Sequence, residues 1–248
     1  MFFGGFGMNS WMIILVIILV AENLSYYLYT PGALLALVLS VPGVLIAITF
    51  HEYAHAWMAD RLGDDTPRRE GRLSLNPLKH MDPVGIAMLL IAGFGWGRPV
   101  QINPNNFNRT ISIRKGNALV AFAGPAMNFI IAIIFSIIYG LLLAFTGVYL
   151  FTESGFVVNS IILSIITMNV GLGVFNLIPL PPLDGSKILV AFLPTNARNW
   201  VESHEKILYL VFIILWITPI ASLIIRPAIN FINLGLLNLI RWIVSLAI

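Results

Sequence analysis

The chain has 248 residues, 58% of them hydrophobic and 10% charged, with a formal net charge of +3. Soluble domains average about 25% charged residues, so this composition excludes a water-soluble core and indicates an integral membrane protein. Cysteine is absent, which excludes disulfides, thiolate metal sites and cysteine nucleophiles and leaves His and carboxylate to hold any metal.

The first ten residues carry no Lys or Arg, and no good small-residue cleavage site follows the apolar stretch Trp11–Ala21. Residues 1–30 are therefore expected to form an N-terminal membrane or interfacial segment rather than a signal peptide. About 20 helical residues cross a hydrocarbon layer. Leu24–Phe50 is long enough, with Pro31-Gly32 as its start, and it leads into His51-Glu52-Tyr53-Ala54-His55. Gly116–Thr152 holds a helix over roughly Asn117–Thr146, entered through Gly124-Pro125. Ser154–Leu183 holds another, roughly Val158–Ile178, stopped by Pro179, Pro181 and Pro182. Ile207–Ile225 and Pro227–Ile248 form a C-terminal pair within 205–248. The expected fold is an all-α polytopic membrane protein with about six transmembrane helices, in one domain over residues 1–248 whose core is 31–195.

Asp60–Lys115 differs from the rest. It carries nine basic residues, Arg61, Arg68, Arg69, Arg72, Lys79, Arg98, Arg109, Arg114 and Lys115, against five acidic ones. The positive-inside bias puts this side in the cytoplasm, so the charge speaks to membrane orientation and not to nucleic acid. Inside the segment, Val84–Gly97 is apolar but short and broken by Gly93, Gly95 and Gly97, which fits a re-entrant hairpin better than a span. Arg98–Phe107 then reads as extended chain with turns. Irregular backbone at membrane depth is tolerated against protein or a wet cavity, so this hairpin is expected to line one.

His51 and His55 stand four apart, one turn along a single helix face, so both imidazoles can reach one ion. Glu52 is rotated off that face, an offset that suits a general base better than a ligand. Two imidazoles and a carboxylate in an apolar helix are costly and functional by default. A satisfied polar cluster packing helices is the bland alternative. A catalytic zinc site needs a third protein ligand. His80 and His204 lie in charged stretches, whereas Asp184 follows an uncharged run of 30 residues, Ser154–Leu183. Gly185 next to it permits close approach. Asp184 at a break between two hydrophobic helices resembles discontinuous-helix sites; the alternative is an N-cap for the next helix. Asn169 and Asn176 share a helix face, and interhelical polar packing accounts for Asn169. Gly124 and Asn128 read as a close-packed helix position with one polar contact.

HEYAH (His51–His55), AGPAMN (Ala123–Asn128) and NLIPLPPLDG (Asn176–Gly185) together resemble the site-2 protease family of intramembrane metalloproteases. Arg61–Gly85 and Gly95–Phe107 resemble its compact prokaryotic branch, without PDZ or CBS domains. The likeness covers about residues 40–195. It implies one catalytic Zn2+ held by His51, His55 and Asp184, with Glu52 as base. It implies that Asn176 positions substrate or stabilises the oxyanion, and that Gly124 and Asn128 form the family's GxxxN element. It also implies a three-helix catalytic core and cleavage of transmembrane segments of membrane-anchored substrates.

Such cleavage requires the substrate helix to unwind. The extended segment around Arg98–Asn106, which contains Pro99 and Gln101, or else the Pro-rich break, is expected to hold the unwound strand by main-chain pairing. The expected partners are a transmembrane protein or peptide and the lipid bilayer, with no nucleic acid. The expected location is the cell membrane, with the site near its cytoplasmic side. The alternative is a membrane metal-ion transporter, which has no evident need of Glu52 beside the metal. A scaffold that binds helices without cutting them is a third reading.

Overall fold

The structure, a computed structural model, describes Ala21 and residues 24–92, 96–218 and 220–247. Helix α1 (Ala33–Arg61) starts at Gly32, whose φ of 82° is the left-handed region open to glycine, and runs without a break through His51 and His55. A short α2 (Thr66–Arg69) and α3 (Pro83–Ala92) follow. Helix α4 (Ile113–Thr146) is capped by the Ser112 hydroxyl, which accepts from the Lys115 N–H. Helix α5 (Glu153–Asn176) is capped likewise by Thr152. Then come α6 (Asp184–Phe192), α7 (Thr195–Ser203), α8 (Glu205–Ile217) and α9 (Ile220–Ser245). Among the described residues the pairing outside helices is a bridge between Met81 and Gly97.

Helices α1, α4 and α5 form the core. Ala47 and His51 of α1 meet Asn128 of α4, and His55 meets Val120, so α4 runs antiparallel to α1. Leu39 of α1 accepts from Ser164 of α5, and Asn169 lies against the Asn128 level, so α5 runs parallel to α1. Small residues let the backbones approach. A Cβ on Gly43 would stand 2.7 Å from the main chain of Ser164. Helix α9 packs across α4, where Ile243 sits 3.1 Å from the Cβ position of Gly140. The burial is inverted relative to a soluble bundle. Asn128, Ser136 and Asn169 are fully buried, while Ile133, Ile134, Ile137 and Ile138 of α4 face outward. Lipid replaces water as the outer solvent, so apolar side chains face out and polar ones pair inside.

Four described helices, α1, α4, α5 and α9, are long and apolar enough to cross a membrane. The expected count of about six is not confirmed among the described residues. Residues 11–20 of the expected first span lie outside the described residues. The C-terminal pair is also divided differently. Helix α8 has 13 residues, about 20 Å at 1.5 Å per residue, against a hydrocarbon core of about 30 Å. Helix α9 instead continues through Pro227 for 26 residues. Gly124-Pro125 is not an entry to α4 but lies inside it. Proline in a membrane helix is accommodated by its neighbours, so the helix begins at the Ser112 cap instead. The expected hairpin is part helix: Val84–Ala92 falls in α3, Gly93–Gly95 lie outside the described residues, and the chain returns extended with the Arg98 N–H donating to the His80 carbonyl (2.7 Å).

Candidate metal centre

His51 and His55 project from α1 toward α4 and α6. Asp184 is the first residue of α6, after the Pro-rich break that ends α5 at Asn176. The break turns the chain so that Asp184 Oδ2 stands 3.2 Å from His51 Nε2 and 3.1 Å from His55 Nε2. The two Nε2 atoms are 3.0 Å apart. The three atoms make a nearly equilateral triangle. A tetrahedral zinc with bonds of 2.0–2.1 Å spaces its ligand atoms roughly 3.3 Å apart, so the triad has the size of one face of such a site. His51 is 5% exposed and Asp184 7% exposed. The alternative of a capping aspartate does not hold, because Leu183 occupies the N-cap and no side chain caps that helix.

Each ring is held from behind. His51 Nδ1 lies 2.7 Å from Asn128 Oδ1, and His55 Nδ1 lies 2.7 Å from the Val120 carbonyl. Neither acceptor can donate, so Nδ1 carries the proton in both rings and Nε2 offers its lone pair to the triangle. Gly124 lies under both rings. A Cβ there would stand 2.5 Å from His55 Nε2 and 2.7 Å from His51 Cε1. Gly185 is equally constrained, since a Cβ there would collide with the carbonyl oxygens of Leu177 and Ile178. Lys187 Nζ is 3.4 Å from the other oxygen of Asp184.

Glu52 is tied to the extended segment, where its Oε2 accepts from the Val100 N–H at 3.0 Å. Pro99 and Gln101 flank that contact and are exposed. Gln101 and Ile102 make no main-chain hydrogen bond among the described residues. Asn176 is half-buried, and its amide donates to the Leu172 carbonyl at 3.1 Å; it makes no hydrogen bond to His51, His55 or Asp184.

Several buried polar residues carry no functional signal in the sequence, Asn169, Asp64 and Arg72 among them. Asn169 Oδ1 accepts from the Asn128 amide of α4 at 2.9 Å. Asp64 is 0% exposed although it sits in a charged loop. Its Oδ1 accepts from the Thr66 hydroxyl (2.6 Å), the Thr66 N–H (3.1 Å) and the Asn106 amide (3.0 Å), and its Oδ2 from the Asn103 N–H (2.6 Å). Arg72 donates to the carbonyls of Lys79 and Pro99. Together they fasten both ends of the segment that carries Val100. The sequence signal for Asp64 was a carboxylate two residues before Thr66, a local turn pattern; its long-range partners had none.

Burial alone would raise the Asp64 carboxyl, but the hydrogen bonds from Thr66, Asn103 and Asn106 outweigh it and hold it below the usual range. The folded value is depressed. The stabilisation is therefore present above the unfolded value of about 4 and is lost as pH falls through the folded value. Asp64→Asn points an amide at the Asn103 N–H and leaves that donor unsatisfied. It is expected to cost about 1–3 kcal/mol at neutral pH. Thermal unfolding from pH 7 to 3 should show the gap between wild type and variant closing below about pH 4; a gap that stays constant through that range would refute the charge assignment.

The model of peptidase family M50 matches residues 40–219. Over 204 residues, 82% of this chain and 90% of the relative, the sequence is 37% identical to the candidate zinc metalloprotease YwhC of Bacillus subtilis (strain 168). It is 31% identical over 185 residues, 73% of this chain and 68% of the relative, to the candidate zinc metalloprotease Rip2 of Mycolicibacterium smegmatis. No solved structure matches the chain significantly. Two histidines on a membrane-length helix, the aspartate that completes their triangle and the family match over most of the chain lead to one assignment: the chain belongs to peptidase family M50, the family of the site-2 proteases.

Proposed function

We propose that the protein is an intramembrane zinc endopeptidase that cuts membrane-anchored substrates within or beside their transmembrane segments, as in regulated intramembrane proteolysis. The observation that carries this reading is the convergence of His51 Nε2 and His55 Nε2, on a helix long and apolar enough to span, with Asp184 Oδ2 at the start of α6. His51, His55 and Asp184 would hold the zinc. When bound, the metal polarises the scissile carbonyl and makes water a nucleophile near neutral pH. Glu52 accepts the proton of the attacking water and passes it to the leaving amine nitrogen. Asn176, at the end of α5, orients the scissile peptide or donates to its developing oxyanion.

The substrate helix must unwind before its carbonyl is reachable. The open main-chain groups at Gln101 and Ile102 offer an edge on which an unwound strand can pair. Gly124 and Asn128 serve the rings rather than the substrate, and Pro99 and Gln101 line the strand's path. Arg61, Arg68, Arg72, Arg114 and Lys115 gather at the His55 end of the core, which by the positive-inside bias supports a site on the cytoplasmic side of the cell membrane. A cavity of about 530 Å3, lined by Arg114, Asn117, Ser186, Lys187 and Arg198 among others, borders the first turn of α6.

The test is incubation of the purified protein with membrane-spanning peptides, with products read by mass spectrometry. Cleavage should stop when a chelator strips the metal and return when Zn2+ is restored. Chelator-resistant cleavage would overturn the reading, and so would zinc flux into proteoliposomes without any peptide product.

A further inference from the structure

We propose that Asn169 is a positioning residue for His51, acting through Asn128, and that this relay across three helices selects the ring tautomer that leaves His51 Nε2 free for a cation. The inference rests on the reading of His51, His55 and Asp184 as zinc ligands.

The relay has a direction, set by groups that can only accept. On α5, Asn169 Nδ2 lies 2.8 Å from the Ile165 carbonyl, so the nitrogen must face that oxygen and donate. The Asn169 amide oxygen is then left to face α4. It accepts from Asn128 Nδ2 at 2.9 Å. The same nitrogen lies 3.0 Å from the Ala47 carbonyl of α1, which again can only accept. Both hydrogens of the Asn128 amide are thereby used, and its oxygen is turned to His51 Nδ1 at 2.7 Å. An amide oxygen cannot donate, so the hydrogen sits on Nδ1. Reversing either amide would set an oxygen against a helix carbonyl and strand an N–H in a site where both residues are 0% exposed.

Packing alone does not need this polarity, because apolar residues of the same shape would fill the space. What the polarity provides is one imidazole tautomer at one end. Val120 does the same for His55 in a single step, by a main-chain carbonyl. At the His51 level two side chains replace that carbonyl, and so the His51 ring alone depends on residues that substitution can remove.

The experiment measures Zn2+ affinity of the purified full chain by competition with a chromophoric chelator, alongside thermal unfolding of the metal-free protein. Asn128→Leu is expected to weaken zinc binding by about 10- to 100-fold, the usual range for losing an outer partner of a ligating histidine. Asn169→Leu is expected to weaken it by about 10-fold, and the double variant should bind no more weakly than Asn128→Leu alone, since one acts through the other. The d–d spectrum of the Co2+-loaded Asn169→Leu protein should shift, which a purely structural residue would not cause. Should that variant fail to fold, Asn169→Ser, with a hydroxyl able to bond the Ile165 carbonyl, is read in the same way. Unchanged zinc affinity in folded Asn169 variants, or effects that simply add, would overturn the relay. Wild type that bound no Zn2+, or bound it as well after His55→Ala, would instead overturn the ligand reading beneath it.

Discussion

Glu52→Gln is expected to lower peptide cleavage by about 10²–10⁴-fold, the usual contribution of a positioned general base. Zinc affinity should stay near that of wild type. The substitution is nearly isosteric and keeps an oxygen that can accept from the Val100 N–H, so the extended segment stays fastened. The three candidate ligands are untouched, because Glu52 is not among them and its hydrogen-bond partner is the Val100 N–H. What is lost is the ability to take a proton from water and return it to the leaving nitrogen. Cleavage rate and zinc affinity measured on one preparation separate these effects. A Glu52→Gln protein that cuts at more than about a tenth of the wild-type rate would remove Glu52 from the chemistry.

Gly124→Ala is expected to abolish measurable zinc binding and to destabilise the metal-free protein by about 1–3 kcal/mol, the usual cost of overpacking. The new methyl would stand 2.5 Å from two atoms of the His55 ring and 2.7 Å from the His51 ring. A flexible side-chain end could swing aside, but these rings are pinned by Val120 and Asn128. Relief therefore requires breaking one of those bonds or moving α4 away from α1, and either spreads the triangle. Gly171→Ala in α5 is the control, since nothing lies within 4 Å of its Cβ position. Removing a helix-interior glycine there should be neutral or stabilising, by up to about 1 kcal/mol. Zinc titration and thermal unfolding of both variants check the contrast. A Gly124→Ala protein with wild-type zinc affinity would show that the rings yield without cost.

Much of the membrane architecture was legible because it rests on local composition. Uncharged runs of adequate length marked α1, α4 and α5, and the Ser112 and Thr152 caps moved two of the starts by only a few residues. The C-terminal division was not legible. Ile207–Ile225 and Pro227–Ile248 are both apolar enough to span, and Pro227 looked like a boundary. The chain instead breaks near Thr218, with Pro227 kept inside α9, because proline in a membrane helix costs only what its neighbours fail to compensate. Asp64 and Arg72 were unremarkable members of a charged loop. Their burial depends on partners 27 to 42 residues away, which no local pattern carries.

By itself the sequence determined that the chain belongs in lipid, that no thiol takes part in its chemistry, and that His51 and His55 share one helix face with Glu52 beside it. These follow from transfer energies and from the 3.6-residue turn, which act over a few residues. The sequence also nominated Asp184, but only the tertiary structure decided how closely it meets the two imidazoles, which way each ring is turned, and that Val100 faces Glu52. It also decided that Gly124 matters for clearance under the rings and that Asn176 turns to its own helix. Those outcomes depend on three helices approaching closely enough for main-chain carbonyls to dictate the direction of buried hydrogen bonds, a condition set by packing across the whole core.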